Sequence, residues 1–197
     1  MIEPRHVELL LASAIPLPLA ERAGVRSLCG AETWEMGFGE KAGPALGFPY
    51  RDPATGVAVD GFIRLRLDNQ NGAGRYRQPP GSRNHLYFPT ATPNELRDFE
   101  RPIIIAEGER KALALVAWCE RQRRRDVVIG IGGATAWLRS IKGLQRDGGL
   151  GRIGSIPIED LDAIAWTGRT VILALDSDVI GNRNVARAER ALARKSG

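Results

Sequence analysis

Residues 103–113 read IIIAEGERKAL, and residues 171–182 read VILALDSDVIGN. Each opens on an apolar run too short to make a helix of its own and ends abruptly in carboxylates, the pattern of a strand covered on both faces. The first run delivers Glu107 to its C-terminal edge, Gly108 permits a tight turn, and a helix is predicted to begin at once, over Glu109 to Arg121. The second delivers Asp176 and Asp178, separated by one serine. Ligands of open α/β sheets gather beyond the carboxyl ends of the strands. Glu107, Asp176 and Asp178 are therefore placed to converge on one cation, and three neighbouring acids suit Mg2+, which takes a few carboxylates together with water and substrate phosphates.

Working outward, the span between the two motifs holds the apolar run VVIGI, the pair Gly132 and Gly133, and a predicted helix near 134–141. A glycine-rich loop over 142–155 and a short helix over 158–165 follow. After Asp178 the run NVARAERALARK is amphipathic and predicts a closing helix. This β-α-β-α order predicts an α/β fold over residues 101–197, a mainly parallel sheet flanked by helices. Residues 1–100 read differently: two short helices, over Arg5 to Ser13 and Leu19 to Ala23, then strands over Ala45 to Tyr50 and Gly61 to Leu67, joined by the turn-rich RDPATG. In GFIRLRL apolar and basic residues alternate, which predicts a half-buried strand with one wet, cationic face. NQNGAG makes a turn, RYRQ a further short strand, and HLYFP an apolar stop. The expectation is a smaller α+β region over 1–100, ahead of the α/β domain over 101–197.

Composition narrows the function classes. The chain is 43% hydrophobic and 26% charged, an ordinary globular balance, and no apolar run approaches the ~18 residues of a membrane span. The N-terminal apolar stretch is broken by Pro16 and Pro18 and is unlike a signal peptide, so a cytoplasmic location is expected. Cys29 and Cys119 alone build neither a disulfide framework nor a four-cysteine zinc ribbon. The net charge is +5, and residues 101–197, with 17 basic and 11 acidic side chains, supply the excess. Of the 28 basic residues 24 are arginine, whose planar fork suits phosphate, although a solvated surface accounts for the same counts.

Other residues carry sharper chemistry. Lys111 falls in the first turn of its helix, where the dipole disfavours a cation, so a nearby phosphate or carboxylate would explain it; the alternative is a surface lysine. Gly132 and Gly133 suit a turn whose backbone amides approach a phosphate, or a plain left-handed turn. Arg75, Tyr76, Arg77, Arg83 and His85 bring cations and rings together, as for gripping a nucleic-acid backbone and stacking its bases, or as an ordinary wet strand face. For Glu107 the alternative is a helix-start carboxylate, and for the aspartates an Asx-rich turn.

Taken together, EGERKA, the strand-borne DSD and Gly181 ahead of the last helix resemble the Toprim domain shared by primases, topoisomerases and several nucleases. More closely, EGERKA at 107–112, GIGGATAW at 130–137 and DSDVIGNRN at 176–184, with GRYRQPPG and YFP upstream, resemble the Toprim-like domain of unknown function found in phage and plasmid replication proteins, often beside helicase domains. The resemblance implies that Glu107 binds metal or acts as general acid/base, and that Asp176 and Asp178 bind Mg2+ (or Mn2+). Lys111 is expected as a further catalytic residue, and Arg110, Lys111, Gly132, Gly133, Asn184, Arg75, Arg77 and Arg83 as contacts to nucleic acid or phosphate. The expected activity is primase-type nucleotidyl transfer on single-stranded DNA from nucleotides, with a helicase or another replication protein as partner. The alternatives are a phosphodiester-hydrolysing nuclease and a noncatalytic DNA-binding module. Toprim domains continue into a further strand, which is expected to be missing here.

Overall fold

The computed structural model describes residues 1–69, 74–133, 135–145, 149–176, 190, 193 and 194. Helix α1 (Pro4–Leu11) starts on a proline, whose missing N–H costs nothing in a first turn, and α2 (Leu17–Arg22) likewise carries Pro18 in its first turn. After β1 (Arg26–Leu28) and the short α3 (Gly30–Glu35) come β2 (Ala45–Arg51), β3 (Ala58–Leu67) and β4 (Tyr76–Arg77), which with β1 form an antiparallel sheet in the order β1-β2-β3-β4. The β2–β3 turn is fastened by Asp52, whose Oδ1 accepts from the amides of Ala54 and Thr55.

Then follow β5 (Leu86–Tyr87), α4 (Pro93–Arg97), β6 (Ile103–Glu107), α5 (Glu109–Arg121), β7 (Val127–Ile131), β8 (Leu138–Leu144), β9 (Leu150–Pro157), a short 3-10 helix (Glu159–Ala163) and β10 (Val171–Ala174). The second sheet has the order β10-β6-β7-β5; β10, β6 and β7 run parallel, and β5 is antiparallel to β7. The chain is thus mixed α/β, as its rhythm predicts.

Strand alternation assigns the faces of this second sheet. Ile104, Ala106, Val128 and Tyr87 turn to one side, where Ala112, Leu113 and Val116 of α5 meet Leu46, Phe48 and Tyr50 of β2 in one buried cluster. Ile103, Ile105, Ile129, Ile131 and Leu86 turn to the other, against Leu96, Trp137, Leu161 and Ile164. A third cluster, Leu28, Ala45, Ile63, Leu65 and Leu67, fills the far face of the antiparallel sheet.

Four expectations are corrected. Within the span 134–141, the described residues 135–141 are not a helix: Leu138 begins β8, because Leu138, Ile141 and Leu144 find cross-strand partners in Pro157, Gly154 and Leu150, and pairing outweighs a short helical pattern. Much of the glycine-rich 142–155 is accordingly strand rather than loop, a hairpin of β8 and β9. HLYFP contains β5, an edge strand of the second sheet rather than a stop. The basic face of GFIRLRL is not wet: Arg64 is only 15% exposed, because that face packs toward α5. The turn expected over NQNGAG lies mostly outside the described residues, as does most of the predicted closing helix. Among the described residues no helix is long and apolar enough to cross a membrane.

Candidate active site at the strand ends

Strand β6 ends on Glu107, and Gly108, at φ +88°, turns the chain directly into α5. That left-handed conformation favours glycine. The Gly108 amide donates to the Ile131 carbonyl at 2.7 Å, so the β6 turn is anchored to the end of β7. On the other side of β6, parallel pairing sets Ala174 beside Ala106. Two residues on, the Asp176 amide donates to Glu107 Oε2 at 3.5 Å. Acids remote in sequence therefore stand at neighbouring strand ends.

Lys111 Nζ forms an ion pair with Asp176 Oδ1. A lysine in the first turn of a helix opposes the dipole, and the Asp176 carboxylate offsets this. Glu107, Lys111 and Asp176 line a cleft of about 320 Å3 whose other walls include Arg110, Gly132, Gly133, Arg64 and Tyr76. Gly133, at φ +143°, occupies backbone space that side-chain-bearing residues rarely adopt. The donor set suits a hard divalent ion: two carboxylates open to one cleft, with Asp176 44% exposed, and room for phosphate oxygens beside them. Asp178 and Asn184 lie outside the described residues, and among the described residues no group of three His, Cys, Asp or Glu side chains gathers to hold a metal.

The floor of the cleft holds a network that the residue patterns do not announce. Glu109 is 1% exposed and receives Arg64 Nη1 at 3.0 Å and the Tyr50 hydroxyl at 2.5 Å. Arg64 Nη2 donates to the Gly132 carbonyl at 2.6 Å, its guanidinium lies 5.6 Å from the centre of the Tyr76 ring, and its Nε is buried without a partner among the described residues. A Cβ on Gly132 would fall 1.8 Å from Arg64 Nη1, so Arg64 itself explains the glycine. Burial, then the Glu109 charge, pushes the Tyr50 phenol well above its ordinary range. Burial pulls on the Arg64 guanidinium in the opposite direction, yet Glu109 and Tyr50 outweigh it and hold the group above its usual value. In the sequence Arg64 stands, like Arg66, in the regular apolar–basic alternation of GFIRLRL, and that pattern does not tell a buried cation from a wet one.

The upstream basic cluster divides. Tyr76 faces the cleft, whereas Arg77 pairs in register with Leu65, so the pleat turns Arg75 and Arg77 to the opposite face. Arg83 is exposed and pairs with Glu159 at 3.0 Å, away from the cleft. His85 is not available to stack on bases: it is 7% exposed, edge-on to Phe62, with Nδ1 3.2 Å from Asp160 Oδ2.

A family model described as a domain of unknown function, DUF3854, matches residues 95–195. The chain belongs to the DUF3854 family. The matched span of this DUF3854 chain contains Glu107, Lys111, the glycine pair and Asp176, while Arg64, Tyr50 and Tyr76 of the facing sheet lie upstream of it. Among solved structures, the DUF3854 chain is similar to the crystal structure of the Aquifex aeolicus primase, zinc binding and RNA polymerase domains, with a TM-score of 0.57 and 13% identity. The superposition covers 96% of this chain and 46% of that one, so the chain spans about half the length of the primase structure. No curated protein sequence matches the chain. The likeness is one of fold, and it takes in the upstream antiparallel sheet as well as the strand-end cleft.

Proposed function

We propose that this DUF3854 chain is a Toprim-type module of phage or plasmid DNA replication, and that its cleft carries out Mg2+-dependent (or Mn2+-dependent) nucleotidyl transfer of the primase kind on single-stranded DNA. The observation that carries this reading is the meeting of Glu107 and Asp176 at the ends of parallel neighbours, with Lys111 and a glycine turn beside them. The similarity in fold to a bacterial primase over nearly the whole chain supports it.

In this reading Glu107 and Asp176, with Asp178 as the third acid of the motif, hold the ion through hard oxygen donors. A bound Mg2+ would supply neutralisation of the charge that builds on the attacking and leaving oxygens of phosphoryl transfer. If Glu107 is instead the general base, it would accept the proton of a primer 3'-hydroxyl as that oxygen attacks the α-phosphate of a nucleotide, with pyrophosphate leaving. Lys111 orients Asp176 through their ion pair, and Arg110 stands at the cleft to receive phosphate. Gly132 and Gly133 let backbone amides come close to a bound phosphate. A helicase or other replication protein as partner belongs to the same proposal.

Incorporation of labelled nucleotides on a single-stranded template tests it. Glu107→Gln, Asp176→Asn and Asp178→Asn are each expected to lower incorporation ~100-fold or more while leaving the circular dichroism spectrum unchanged. Shortening of a labelled strand in place of extension would move the same site to hydrolysis and defeat the primase reading. DNA binding without turnover in wild type and in Asp176→Asn alike would reduce the chain to a binding module.

A further inference from the structure

The hairpin of β8 and β9 is a two-stranded sheet hydrogen-bonded to neither of the larger ones, and of its apolar residues only Leu138, at its base, packs against a core cluster. Isolated two-stranded ribbons are marginally stable, and exposed apolar patches on them mark surfaces that meet a partner. Near its end Leu144 and Leu150 form a cross-strand pair, 75% and 83% exposed. Two steps toward the base, Lys142 is the cross-strand partner of Arg152, both exposed, and such like-charge pairing is unfavourable in isolation. Arg139 adds a further exposed cation, and the described residues of the ribbon include no acid.

We propose that this ribbon is a docking arm for single-stranded nucleic acid. A chain of phosphates is the partner that relieves the Lys142–Arg152 repulsion, because each cation then faces an anion and releases its bound counterions. The leucine pair beyond them offers apolar contact to unstacked bases, which a folded acidic protein surface would not present in the same register as its charges. The ribbon leaves the core at Leu138, shortly after the cleft glycine Gly133. The arm stands apart from the carboxylates, so its binding is independent of any chemistry in the cleft.

The test is fluorescence anisotropy of a labelled single-stranded oligonucleotide with the full chain in EDTA, titrated over a range of salt. Lys142→Glu/Arg152→Glu is expected to weaken binding about tenfold or more, and to flatten the plot of log K against log salt by ~1.4, the share of two phosphate contacts. Lys142→Gln/Arg152→Gln should flatten the slope by the same amount, which separates lost contacts from misfolding. Leu144→Ser/Leu150→Ser should weaken binding severalfold with the slope unchanged, and a duplex of the same sequence should compete poorly. Unchanged affinity and slope in both charge variants would overturn the inference. So would a leucine variant that keeps full affinity but dissociates a dimer in sedimentation, which would make the ribbon a self-association surface. Because this binding assay excludes metal it reads the arm alone, and a chain that binds through the ribbon in EDTA yet incorporates no nucleotide once Mg2+ is supplied would sink the primase reading and leave the arm in place.

Discussion

Arg64 ties the turn after β6, through Glu109, to the turn after β7, through the Gly132 carbonyl, and so holds the cleft walls in register. Removing one member of a buried ion pair strands the other, at a cost of about 3–5 kcal/mol. Arg64→Met is therefore expected to lower unfolding stability by about that amount in urea denaturation, and Arg64→Met/Glu109→Leu to recover a substantial part of it. Gly132→Ala acts on the same network from the backbone side, since the new methyl would collide with the guanidinium. It should weaken nucleotide or phosphate binding in the cleft together with stability, and an Arg64→Met/Gly132→Ala double variant should be less than additive. Additive losses would show that the two residues act separately.

Among the elements, the parallel strands and the β8–β9 ribbon use similar apolar residues to opposite effect. Ile105 lies in the middle of β6 and is 0% exposed, so Ile105→Ala should cost about 2–5 kcal/mol through lost burial and the cavity left behind. Leu144→Ser/Leu150→Ser, at positions joined to no core cluster, should stay within about 0.5 kcal/mol of wild type in the same denaturation. That contrast separates strands that build the site from a ribbon that reaches away from the core. Helix α4 is an intermediate case. Thr92 Oγ1 accepts from the Glu95 amide while Glu95 Oε2 accepts from the Thr92 amide, and Thr92→Ala should cost ~1 kcal/mol.

At the scale of the whole molecule, one buried cluster joins the antiparallel sheet to α5 and the second sheet, and it contains Tyr50 and Tyr87, with Tyr76 packed against it. Burial is the leading cause that raises all three phenols above their ordinary range. A folded value above the unfolded one means that the fold favours the neutral phenol. The resulting stability is fully present below the unfolded value near pH 10, and is lost as pH rises from there toward the folded values. Tyrosinate absorbance should therefore appear only together with the loss of circular dichroism in alkaline titration. Ionisation of any tyrosine at its ordinary pH in a chain that is still folded would contradict this packing.

The alternation of apolar runs with amphipathic stretches determined the α/β character of the chain, helix α5 almost to the residue, and the delivery of Glu107 and Asp176 to strand ends, because periodicity and turn chemistry are local properties. Tertiary structure alone decided the strand order, the recruitment of HLYFP into the second sheet, and the pairing of β8 with β9 where a helix and a loop are predicted. It also decided that Arg64 is a buried partner of Glu109 rather than a wet cation. Each of these depends on which surfaces meet across tens of residues, and alternation along one strand says that a face is apolar or basic without saying what covers it.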